Sequence, residues 1–123
     1  MKRIVLVTCV APKLTKAAAA KKIYIGPIFE KLMHYALNID PDKIFILSGK
    51  YGLLHLDDVI EPYDVNLNLV SEEILQIWSN QVLADLAKEA DLEQDLFVFL
   101  TNETYRKYLI DKINHFEVPL KID

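Results

Sequence analysis

Three short runs constrain what this chain can fold into: residues 3–9 (RIVLVTC), 43–48 (KIFILS) and 95–100 (DLFVFL). Each is almost continuously apolar, rich in β-branched or aromatic residues, and closed by a polar residue before a turn or breaker. Unbroken hydrophobicity of this length signals strands buried on both faces, which a parallel sheet covered by helices provides. The intervening segments are long enough for the crossovers that such a sheet needs.

Those segments carry helical patterns. Pro27 suits a first helical turn, and Ile28, Leu32, Tyr35 and Ala36 form an apolar stripe that fades near Asn38, before Pro41. Ser71 is a natural N-cap, with Glu72 and Glu73 at the positive helix end. Ile74, Leu75, Trp78, Val82, Leu83 and Leu86 then recur at helical spacing. Thr101 or Asn102 can cap a third helix carrying Tyr105, Tyr108 and Leu109, with Glu103 and Lys107 spaced i,i+4. Residues 116–122 fit an edge strand, where Pro119 is tolerated, and the four alanines at 17–20 form a helix-favouring patch. The expected fold is α/β: a Rossmann-like three-layer domain spanning 1–123, with a mainly parallel sheet of about four strands.

Composition agrees with a globular chain and narrows its setting. Apolar types make up 52% of the 123 residues and charged types 26%, which excludes a disordered, collagenous or coiled-coil chain. A single cysteine, Cys9, allows no internal disulfide and points to a reducing cytoplasm. The apolar run at 4–9 is too short for a signal peptide, and no stretch approaches the roughly 20 apolar residues of a membrane span. His34, His55 and His115 lack metal-ligand spacing, and no dinucleotide, P-loop, zinc-protease, hydrolase or CxxC signature occurs. Neither a metal nor a cofactor is expected.

The net charge of -4 conceals a strong asymmetry. Residues 1–50 carry a net +6, residues 51–100 a net -10, and the remainder balances. Such a division suits either a basic face for a phosphate-bearing ligand or oppositely charged segments packed side by side.

In open α/β sheets ligands bind beyond the carboxyl ends of the strands. Here the first strand leads to Thr8, Cys9 and Lys13. The second leads to Ser48, Gly49, Lys50, Tyr51 and Gly52, and the third to Thr101, Asn102 and Tyr105. Lys13 and Lys50 can grip a phosphate beside the backbone amides of the 49–52 turn, or be solvated surface lysines. Ser48 is a candidate nucleophile or a turn cap. Cys9 is a candidate nucleophile or a small buried hydrophobe. Glu61, extended by the following Pro62, is a candidate acid/base or a loop carboxylate. Tyr24, Tyr51 and Tyr63 can stack on a base or pack into the core. Asn102 can bind a ligand or cap its helix.

The segment ILSGKYGLLHLDDVIEPYDVNL, residues 46–67, resembles the signature of the YaaA peroxide-stress protein family, an L-S-G-x-Y-G-L-L run followed by a P-Y dipeptide. Cys9, Lys13 and IYIGPIF (23–29) resemble the start of a related family of short, uncharacterised bacterial and phage domains. Trp78 and LTNETYRKYL (100–109) extend the likeness over nearly the whole chain. The resemblance implies an α/β domain directed at nucleotides or nucleic acid. YaaA-like proteins are associated with protection from oxidative DNA damage and with DNA binding through a basic cleft beside a helix-hairpin-helix element. This chain is shorter and has no G-x-G hairpin between helices.

Two functional expectations follow. In the first, a polar pocket at the strand ends binds a nucleotide, nucleoside or nucleic-acid strand, with Glu61, Cys9 or Ser48 acting on a nucleobase or glycosidic bond. In the second, the basic N-terminal segment makes a non-catalytic DNA-binding module of the stress response.

Overall fold

The computed structural model describes residues 1–8 and 12–120. In chain order the elements are β1 (Arg3–Thr8), β2 (Ala18–Ala19), α1 (Ala20–Ile23), α2 (Pro27–Leu37), β3 (Lys43–Ser48), β4 (Gly52–His55), β5 (Val59–Ile60), α3 (Glu72–Glu89), β6 (Leu96–Leu100), α4 (Glu103–Arg106) and β7 (His115–Glu117). Short 3-10 turns occupy Leu67–Leu69 and Ile110–Lys112.

The three apolar runs become the adjacent central strands, with β1 between β3 and β6, both parallel to it. Their pleat divides the apolar residues between two cores. Ile4, Leu6, Phe45, Leu47, Phe97 and Phe99 face one side, where Leu75, Trp78, Val82 and Leu86 of α3 join Tyr105, Leu109 and Ile113. Val5, Val7, Ile46, Val98 and Leu100 face the other, covered by Ile23, Phe29, Leu32 and Ala36. The result is a Rossmann-like three-layer α/β arrangement.

Local signals fix the helices. Pro27 opens α2 after Gly26, and the chain leaves the helix at Asn38. The Ser71 hydroxyl accepts a bond from the Ile74 amide (3.2 Å) and so caps α3. Leu75, Trp78, Val82 and Leu86 of the expected stripe are buried, whereas Ile74 is half exposed.

The sheet has five strands rather than about four, in the order β4-β3-β1-β6-β7. The additional strand, β4, returns antiparallel to β3 directly after the turn at 49–51. The alanines at 17–20 depart from their helical propensity. Ala18 and Ala19 pair with Ile60 and Val59, and only Ala20 enters a helix, because the cross-chain pairing outweighs a small intrinsic preference. The third helix is a single turn, and Lys107 meets Glu72 at 3.2 Å. The last strand is confined to His115–Glu117, with Pro119 beyond it.

The connections define where the sheet opens. The crossover from β1 to β3, through α1 and α2, covers one face, while those into and out of β6, through α3 and α4, cover the other. The carboxyl ends of β1 and β6 are therefore a topological switch point, where diverging connections leave a crevice.

Candidate functional site at the strand carboxyl ends

The exit of β3 is built as a tight turn. Ser48 is fully buried, and its hydroxyl oxygen accepts from the amides of Lys50 (3.3 Å) and Tyr51 (3.0 Å). Its carbonyl accepts from the Trp78 indole at 2.9 Å. Ser48 thus acts as a turn cap and presents no exposed oxygen for nucleophilic attack. Gly49 is pressed against the loop that follows β5: a Cβ here would lie 2.7 Å from the Val65 carbonyl oxygen. Gly52 has φ +76°, a left-handed conformation that glycine adopts without strain. Lys50 and Tyr51 are the two members left exposed.

Two backbone pairings bring the remaining candidates to this turn. Residues 12–14 run antiparallel to 23–25, with bonds from the Leu14 amide to the Ile23 carbonyl and from the Ile25 amide to the Pro12 carbonyl, both 2.8 Å. This places Lys13 opposite Tyr24. The β2–β5 pairing then delivers Glu61, Pro62 and Tyr63 beside them. The Tyr24 and Tyr63 hydroxyls hydrogen-bond at 2.6 Å. The Lys13 ammonium lies 4.4 Å from the centre of the Tyr63 ring and 5.6 Å from that of Tyr24. Tyr51 meets Tyr63 edge to face at 5.6 Å, and its hydroxyl accepts from the Glu61 amide at 3.3 Å. The Lys50 ammonium lies 5.2 Å from the Tyr51 ring.

Lys13, Tyr24, Lys50, Tyr51, Glu61 and Tyr63 therefore share one cluster centred on Tyr63. Beside it opens a cleft of about 500 Å³ lined by Pro12, Lys13, Leu14, Thr15, Pro62, Tyr63 and Asp64. Its walls combine an ammonium, a carboxylate, a hydroxyl and an aromatic ring, a set able to engage a charged and planar ligand together. Asn102 stands apart from this cluster. It is 8% exposed, and its side-chain oxygen accepts from the Tyr105 amide at 3.2 Å, the role of a helix cap. Cys9 lies outside the described residues.

Two further hydroxyls, Thr8 and Thr101, lie at strand exits that the sequence marked, although the sequence assigned neither a ligand-binding role. Thr8 and Thr101 are 4% and 0% exposed, and neither Oγ1 has a hydrogen-bond partner. The available signal was a polar residue closing an apolar strand at the same step on two strands, but only the register shows that the two strands are neighbours. Among the described residues no group of three or more His, Cys, Asp or Glu side chains could hold a metal ion. No described helix is long and apolar enough to cross a membrane.

Comparison with known proteins finds relatives of part of the chain. A UPF0246 protein of Polynucleobacter necessarius subsp. necessarius (strain STIR1) is 30% identical over 96 residues, covering 73% of this chain and 37% of the relative. UPF0246 proteins of Rickettsia rickettsii (strain Iowa) and Rickettsia conorii (strain ATCC VR-613 / Malish 7) are each 34% identical over 74 residues, or 54% of this chain and 30% of theirs. The chain thus matches about a third of the length of these relatives, which are of the YaaA type. The model of a family of unknown function, DUF6884, matches residues 4–122. Spanned by that match almost from end to end, the chain belongs to the DUF6884 family.

Proposed function

We propose that this domain binds a phosphate-bearing nucleotide, free or as an exposed nucleotide of a nucleic-acid strand, at the carboxyl edge of its sheet. The observation that carries the reading is the position of Tyr63, which touches Lys13, Tyr24 and Tyr51 at once and forms a wall of the adjoining cleft. In this reading the two lysines neutralise phosphate, the tyrosines provide a stacking surface, and Glu61 contacts a sugar hydroxyl or base edge. Glu61 is also the remaining candidate for proton transfer among the described residues, because the Ser48 hydroxyl is buried and committed to the turn.

A broad DNA-coating surface has less support. Lys21 forms an ion pair with Asp57 at 2.8 Å, so part of the N-terminal positive charge is neutralised within the chain.

Thermal unfolding in the presence of mono-, di- and trinucleotides, nucleosides and a short single-stranded oligonucleotide tests the proposal. At least one phosphorylated ligand is expected to raise the melting temperature. Lys50→Ala is expected to weaken its binding roughly tenfold or more, the scale of one charge-assisted contact. Glu61→Gln should weaken a ligand that carries the sugar and base but leave inorganic phosphate unaffected. Absence of stabilisation by every compound in the panel would sink the reading.

A further inference from the structure

We propose that Thr8, Thr101 and Arg106 form an oxyanion subsite at the switch point, which receives a phosphate group. This rests on the nucleotide reading above and adds a phosphate subsite to the one that Lys13 and Lys50 provide. The register runs Val7 opposite Leu100, and the next residues are Thr8, which ends β1, and Thr101, the first residue beyond β6. The pleat of β1 places Thr8 on the face of Ile4 and Leu6, and Thr101 follows Phe97 and Phe99 at the same two-residue step just past the end of β6. Two buried hydroxyls thus stand at the ends of neighbouring strands, at the edge where the chain connections diverge.

Both hydroxyls are unpaired although buried, which is uncommon in folded proteins and costly wherever it occurs. A hydroxyl can donate one hydrogen bond, and two adjacent donors can serve one oxygen of an anion. The charge that favours an anion over a neutral acceptor lies next to them. Arg106 is half-buried, and its guanidinium donates from Nη1 to the Thr101 carbonyl at 2.7 Å. Among the described residues no carboxylate lies within ion-pairing distance of it. One of its five N–H groups is used in that bond, and the planar fork suits a phosphate.

Both Oγ1 atoms are buried, so an anion reaches them only as the atoms packed over them yield. Stability sacrificed in the free protein is then recovered in the complex. This predicts an inverse relation that a purely structural role would not produce. The isosteric variants Thr8→Val and Thr101→Val should melt at the same temperature as the wild type or higher, yet bind ligand at least tenfold more weakly.

The test is an NMR titration of the full chain with pyrophosphate and with the stabilising nucleotide, alongside melting of the free variants. The wild type should saturate with shifts at Thr8, Thr101 and Arg106. The two Val variants and Arg106→Gln should lose affinity, and Thr8→Ser should keep it. Unchanged affinity in both Val variants would overturn the subsite while leaving nucleotide binding intact. Pyrophosphate binding that depends on the hydroxyls, with no binding of any nucleotide, would uphold the subsite and sink the nucleotide reading. Binding of neither ligand would sink both. A clear fall in the melting temperature of the free Val variants would show that the hydroxyls already have structural partners, and would also overturn the subsite.

Discussion

At the scale of single residues, the turn after β3 separates two kinds of glycine requirement. At Gly49 the constraint is space: a methyl group would meet the Val65 carbonyl oxygen at 2.7 Å, and a backbone atom cannot swing aside as a side-chain end can. Gly49→Ala should destabilise the protein by about 1–3 kcal/mol, the usual cost of overpacking, measured by urea unfolding. At Gly52 the constraint is conformation. With φ +76°, Gly52→Ala should cost about 1–2 kcal/mol although open space surrounds the site, the nearest atom to the added Cβ being 3.7 Å away. Trp78→Phe preserves most of the apolar volume but deletes the indole donor to the buried Ser48 carbonyl. A loss of about 1–3 kcal/mol in the same measurement is expected. These costs are independent of any ligand, which distinguishes them from the effects of Lys50→Ala.

Among the elements, those with long periodic signals were legible in the sequence and those defined by pairing were not. β1, β3 and β6 announced themselves by unbroken apolar runs, and α3 by its cap and stripe. β4 was hidden because Gly52–His55 follows the turn so closely that it reads as part of it. β2 and β5 have two residues each, below any periodicity, yet their pairing brings Tyr63 to Tyr24 and so assembles half of the candidate site. The site was therefore legible as a set of residue types after strand ends, while its centre on Tyr63 emerged only from contacts between segments far apart in the chain. The cap on α3 gives a direct check: Ser71→Ala should cost about 1 kcal/mol in thermal or urea unfolding.

Asp95, just before β6, gives a check through pH. Its carboxylate accepts from the amides of Lys2 and Asp91, each at 2.9 Å. The Asp91 amide and then the Lys2 amide hold its pKa below the ordinary 3.8, against the opposing effect of burial. The unfolded chain takes up this proton more readily than the native one. The contribution to stability is thus complete above about pH 3.8 and drains away as pH falls through the native value. The stability gap between wild type and Asp95→Asn, measured by urea unfolding, should be constant near neutrality and narrow under acid.

For the whole molecule, the arrangement of charge decides what kind of nucleic-acid contact is compatible with the fold. In a chain of net charge -4, with Lys21 paired to Asp57, the proposed footprint engages three cations: Lys13, Lys50 and Arg106. Binding to a single-stranded oligonucleotide should fall with salt at a log–log slope of about -2, and Lys21→Glu should barely change it. A much steeper slope, with strong dependence on Lys21, would indicate a wide electrostatic surface instead.

The glycine turn also bears on how the Ser48–Gly52 segment is to be read. Within Ser48–Gly52, the hydroxyl of Ser48, the bare Cα of Gly49 and the left-handed Gly52 are consumed in fitting β3, β4 and the crossing loop together. Only Lys50 and Tyr51 turn outward. A saturation map of tolerance to substitution should therefore alternate along five residues, with positions 48, 49 and 52 intolerant even when selection is for solubility alone. Positions 50 and 51 should become intolerant only when selection is for binding. The segment that looks most like a chemical signature is largely a joint, and its chemical content amounts to two residues.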